Sequence, residues 1–230
     1  MSDRAAATAF GRLLDPYRRL LEELDGWFAS CIEQFPTKIQ CAAGCSSCCR
    51  GLFEISLLDA ALLQQGFQLL PAEISRDVLT EAGKRRDALQ RQWPGLEHPY
   101  ILNRLPHNDW EEMPEDDPTP CPLLDENRRC LVYRHRPLIC RLHGLPHVDL
   151  SGKVFMKDYC TLNFPGVEAD KIAKLRYRFH TTYQREFDLL GEFSELILGK
   201  RDLEIDTFIP LALFIDFSLL SGSGAPGTKP

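Results

Sequence analysis

The chain has 230 residues, 44% of them apolar, and a formal net charge of −6. That length supports one sizeable core without metal or disulfide staples, and the acidic balance excludes a general nucleic-acid binder with its broad basic stripe. No run approaches the roughly 18 apolar residues of a membrane span and the start MSDRAAATAFGRLLDPYRRL has no secretory stretch, so the expected compartment is the cytoplasm, where nine cysteines point to metal or redox chemistry before disulfides.

From Phe10 onward Leu13, Leu14, Tyr17, Leu20, Leu21, Leu24, Trp27, Phe28, Cys31 and Ile32 recur at three- and four-residue steps, which predicts an amphipathic helix closed by Pro36. Cys31 continues its apolar face and reads as a packed small hydrophobe. CAAGCSSCCR, residues 41–50, follows with small residues that let backbone crowd around a centre. Ser56 with Asp59 predicts a capped helix start running toward Gly66, and Pro71 opens another helix over about residues 72–92. Residues 94–120 carry six prolines and the run EEMPEDDP, which predicts an extended surface loop with Glu111, Glu112, Glu115, Asp116 and Asp117 solvated. CPLLDENRRCLVY and HVDLSGKVFMKD each predict a small hairpin. Helical periodicity returns from about Glu168 to Leu198, and DTFIPLALFIDFSLL adds a last buried segment before the flexible SGSGAPGTKP.

The expected fold is therefore mainly α with small β-hairpins, an irregular α+β arrangement in which helices bracket a central cysteine-rich core. One domain covers residues 1–220, with the core at 41–160, helical flanks at 1–35 and 167–220, and a tail at 221–230.

Eight cysteines fall in that core: Cys41, Cys45, Cys48, Cys49, Cys121, Cys130, Cys140 and Cys160. Cys45 and Cys48 form a C-x-x-C chelate with Cys41 four residues earlier, and ligands from the second half would close a loop of roughly 70 residues. Adjacent Cys48 and Cys49 cannot easily point the same way, so one of them faces a second or bridging position. Eight sulfurs are enough for two Cys₄ zinc sites, one [4Fe–4S] cluster with four further thiols, or two clusters. Thiolate-bound centres of either kind are anionic, and Arg128, Arg129, Arg134, Arg136 and Arg141 crowd the same stretch; Arg136 and Arg141 are the candidates for tuning metal-bound sulfur. His135, His143 and His147 lie close enough in sequence to supply an imidazole. No surround for a catalytic thiol and no G-x-G-x-x-G or phosphate loop is present, so catalytic residues are unassigned and a second organic cofactor has no support.

CAAGCSSCC, CPLL and CLVYRHRPLICR with a later cysteine together resemble the cysteine-cluster family called C-x-x-C-x-x-C-C or YkgJ-like, described as zinc- or iron-chelating. The likeness spans about residues 41–160 and joins spacing to the frame C-x-x-Y-x-x-R-P-x-x-C-R. It implies that the eight core cysteines are metal ligands and that the protein is a bacterial cytosolic one. A related domain in flagellin lysine methylating proteins is associated with an iron–sulfur cluster, which puts iron ahead of zinc. The function expected is metal binding through the eight cysteines, by a [4Fe–4S] iron–sulfur centre or by iron, with a redox or accessory role; the alternative is a zinc-binding structural or chelating module without enzymatic activity. Expected partners are metal ions and a redox or protein partner, with no nucleic acid and no membrane.

Overall fold

The computed structural model describes residues 3–106 and 117–220, with side chains from residue 11 onward. The tail at 221–230 and most of the acidic run, Glu111 to Asp116, lie outside the described residues.

Helix α1 spans Asp3–Gln34, starting earlier than the apolar periodicity and taking Pro16 within it. Its stripe of Leu14, Tyr17, Leu20, Leu21, Leu24, Trp27 and Cys31 is buried throughout, so Cys31 packs as a hydrophobe, and burial pushes its thiol up to about 11. The stripe lies against α5 (Phe179–Leu198), α4 (Leu138–Leu142) and α2 (Leu57–Phe67). Helix α2 has a different pattern: Leu57 to Leu63 are all buried, so it runs through the middle of the molecule. A helix apolar all round is the form expected for an element with neighbours on every side. Ser56 caps it, its hydroxyl accepting the Asp59 N–H at 3.1 Å. Helix α3 (Ala72–Gln92) follows after Pro71, with only Val78, Ala82 and Leu89 buried along it.

Two small antiparallel sheets complete the scaffold. Strand β1 (Glu54–Ser56) pairs with β4 (Asp206–Phe208), with Ile55 opposite Thr207. Strand β2 (His147–Val148) pairs with β3 (Val154–Met156) across the Ser151-Gly152 turn, the hairpin expected there. The other expected hairpin is reduced to one bridge, Leu124 to Cys130, closed by Asp125 N–H to Arg129 O and Leu131 N–H to Leu123 O, each 2.9 Å. The described residues end in two short helices, α6 (Ile209–Ala212) and α7 (Phe217–Leu220). Among the described residues the fold is mainly helical with small sheets, and no helix is long and apolar enough to cross a membrane.

Two expectations change. Residues 94–105 are not a surface loop: Leu96, Tyr100, Ile101 and Leu102 are buried, and Trp93 stands 6.4 Å from Phe208. The prolines shape the path, but these apolar side chains still leave water. Nor is Asp117 solvated, since it pairs with Arg85 of α3. The helix expected from Glu168 starts at Phe179; residues 169–175 form two 3₁₀ turns whose Ala169 and Leu175 reach the core.

Candidate metal centre

After α1 the chain turns tightly. Cys45 N–H donates to Ala42 O at 3.0 Å and Cys49 N–H to Ser46 O at 2.9 Å. Gly44 takes a left-handed φ of 85°, where a β-carbon would be strained. The second half then joins by main-chain bonds: Cys121 N–H donates to Cys49 O at 2.9 Å, and Cys160 N–H to His143 O at 3.0 Å.

All nine cysteines are free thiols; Cys45 is exposed and the other seven of the core set are half-buried. Hydrogen bonds place Cys41 and Cys160 in one neighbourhood, about His143 and Gly144, and the turn from Cys121 to Cys130 in another, beside Cys49. Burial raises the Cys41 thiol first, and Cys160, Cys45 and Cys48 add to it by like-charge repulsion. Burial also pushes Cys140 well up, and Cys121, Cys130, Asp59 and Cys48 add to it. Cys121 is pushed up to about 11 by burial, with Cys130 a smaller contributor. The neighbouring Cys49 is the largest cause of the raised Cys48 thiol, and Cys48 in turn adds to the rise at both Cys41 and Cys140. Among the described residues no three His, Cys, Asp or Glu side chains stand in a metal-holding arrangement. The fit to a metal is therefore one of donor chemistry: free thiols, costly to ionise alone in this setting, are the soft donors that zinc and iron–sulfur centres take.

The first neighbourhood is held by Asn163, which is 1% exposed. Its Nδ2 donates to Gly144 O at 2.6 Å and contacts Cys41 Sγ at 3.3 Å, while its Oδ1 accepts the Gln40 N–H at 2.7 Å. Gly144 is there because nothing larger fits: an added β-carbon would lie 2.7 Å from Phe28 and 3.0 Å from Cys41 Sγ.

Helix α4 carries Cys140. Asp59 Oδ1, in the first turn of α2, accepts both the Tyr17 hydroxyl at 2.7 Å and the Leu138 N–H at 3.0 Å. Burial pushes this carboxyl up to about 6 against the pull of both bonds.

Arg136 and Arg141 join the cysteine segments to α1. Both guanidiniums pair with Asp25, Arg136 at 2.9 Å, and Arg141 also donates to Arg136 O at 3.1 Å and Arg134 O at 2.8 Å. Arg136 stacks on Tyr133 with its guanidinium carbon 3.9 Å from the ring centre. Their positive charges lower the Cys130 thiol against its burial, and Arg136 does the same at Cys48. Arg136 Nε is buried without a hydrogen-bond partner among the described residues.

The histidines are engaged in packing. His135 lies against Gly66, whose place a β-carbon would contest at 2.6 Å. His143 meets Phe53 edge-on. His147 is buried, bonds Tyr183 Oη at 2.6 Å and Leu142 O at 3.2 Å, and burial pushes it down to about 4. Sequence reasoning did not find Asn163, Asp25 or Asp59 as site-shaping residues. Asp59 had a signal, its place in the cap of α2; Asn163 had none, since its three partners come from distant segments.

Residues 40–161, more than half the chain, match the family model CxxCxxCC, described as a "Putative zinc- or iron-chelating domain". Neither a curated protein nor a solved structure matches the chain.

Proposed function

The chain belongs to the CxxCxxCC family, and from that premise we propose that it binds an iron–sulfur centre through Cys41, Cys45, Cys48, Cys49, Cys121, Cys130, Cys140 and Cys160. The observation that supports this ligand set is that hydrogen bonds bring the distant cysteine segments together, Cys121 N–H to Cys49 O, Cys160 N–H to His143 O, and Asn163 Nδ2 to both Gly144 O and Cys41 Sγ, with every thiol free. Such a centre supplies electron-transfer chemistry when bound. The family description names zinc equally, and zinc in the same thiols would make the protein a chelating or structural module.

Arg136 and Arg141 act on the centre by charge. A thiolate-ligated metal site is anionic, and two half-buried to buried guanidiniums anchored on Asp25 offset that charge from a fixed distance. The unpartnered Nε of Arg136 is a further donor for that centre.

Metal and acid-labile sulfide content, with a visible spectrum, on protein purified without oxygen tests the reading. Iron with matching sulfide and a broad brown absorbance is expected; colourless protein with about two zinc ions would replace it by the zinc reading. In the same assay Cys45→Ser with Cys48→Ser should abolish stoichiometric metal while far-ultraviolet circular dichroism stays largely helical, because the helical core is packed without those side chains. Full metal retention in that double variant would sink the ligand assignment.

A further inference from the structure

A cavity of about 400 Å³ borders both Cys49 and Cys121. It forms where the two cysteine segments run side by side, joined by Cys121 N–H to Cys49 O and Gly51 N–H to Thr119 O, both 2.9 Å. Helix α3 walls it with Glu81 and Arg85, and the turn after Cys121 contributes Asp125 and Arg128. Its size is that of a small-molecule site.

Most of the charge around it is already satisfied. Glu81 pairs with Lys84 at 2.6 Å and Arg85 with Asp117, while Asp125 has no ion pair among the described residues and accepts the Arg129 main-chain N–H at 2.7 Å. Two guanidiniums remain without a carboxylate partner among the described residues. Arg50 has a single 3.3 Å bond to Pro118 O, and Arg128 sits at the cavity on a left-handed backbone with φ 59°. Forked guanidiniums suit the paired oxygens of a carboxylate or phosphate.

We propose that this cavity binds a small carboxylate or phosphate anion between Arg50 and Arg128, against the face of the centre formed by Cys49 and Cys121. The placement against a metal rests on the proposed function; anion binding itself rests on the two arginines. Structural zinc sites are closed, whereas sites that act on a bound molecule keep an approach. This cavity is such an approach.

The test is calorimetric titration of the metal-loaded full chain with inorganic phosphate and with succinate at constant ionic strength. Saturable binding of one of them is expected, weakened about tenfold or more in Arg50→Gln with Arg128→Gln while metal content is unchanged. The anion that binds assigns the class. No saturable binding of either up to about 10 mM, or binding indifferent to the two arginines, overturns the proposal. A separate variant, Cys49→Ser with Cys121→Ser, should lose metal. If it kept full metal and arginine-dependent anion binding, the cavity would stand as an anion site while its placement against the metal would be overturned.

Discussion

Asn163 shows how one buried side chain can hold a site together. Three segments remote in sequence, around Gln40, Gly144 and Cys160, meet at its amide, and the Cys41 sulfur rests on the same nitrogen. Asn163→Ala leaves the buried Gly144 carbonyl without a partner, costing about 1–3 kcal/mol, and opens the part-buried Gln40 N–H to water. The expected outcome is a lower melting temperature together with reduced metal content. Asn163→Asp keeps the acceptor for Gln40 but sets a carboxylate oxygen where the donor stood, against Gly144 O and the Cys41 sulfur. Metal content should fall in this variant too, and an unchanged content in both would show that Asn163 serves the fold alone. The cysteine pattern of the family was legible because sulfur at short spacing is rare and chemically distinct. Asn163 was not, because its role depends on which loops meet.

At the scale of elements, α2 governs the position of α4. Its Asp59 reaches out of the buried helix to the first amide of α4 and to Tyr17 of α1, so one carboxylate registers three helices and places Cys140. Asp59→Ala strands the Tyr17 hydroxyl and the Leu138 amide in the interior and should destabilise by several kcal/mol. Asp59→Asn keeps an acceptor and removes the charge that burial disfavours. Thermal melts at pH 7 are expected to rank Asn near or above the native residue and Ala far below both; equal loss in both variants would refute the account. The start of α2 was legible, since the Ser56 cap is a local device. The shortened start of α5 was not: the periodicity begins near Glu168, but main-chain bonds tie residues 168–176 into 3₁₀ turns and Tyr177 to Val148, and Asp149 then accepts the His180 N–H at 2.9 Å near the head of α5.

Across the whole molecule, carboxyls gather between α1, α2, α5 and β4. Burial, with Asp59 and Asp206 nearby, pushes Glu186 up to about 8, and Asp206 is raised by burial as well. A carboxyl raised in the folded state binds its proton more tightly there than in the unfolded chain, so stability from this group falls as pH rises from the ordinary value of 4.5 toward 8. Glu186→Gln removes that slope. Its melting temperature should match the native protein near about pH 4 and exceed it by several degrees near about pH 8, at about 2–4 °C per kcal/mol for a chain of this size. His147 tilts the curve the other way: its imidazole is held neutral, pushed down to about 4, so acidification below its ordinary 6.5 costs stability in both proteins alike. A pH-independent difference between the two proteins would show that Glu186 is ionised freely in the fold.

The sequence by itself determined the local and the chemical: the apolar stripe of α1, the cap of α2, the hairpin at Ser151-Gly152 and the identity of eight clustered thiols. Each follows from spacing or side-chain chemistry within a few residues. Tertiary structure alone decided how those thiols divide, that β1 pairs with β4, that residues 94–105 turn inward, and that Arg136 and Arg141 share Asp25. These outcomes depend on contacts between segments dozens to more than a hundred residues apart, where burial and hydrogen-bond satisfaction of the whole chain, not the pattern of any one segment, select the arrangement.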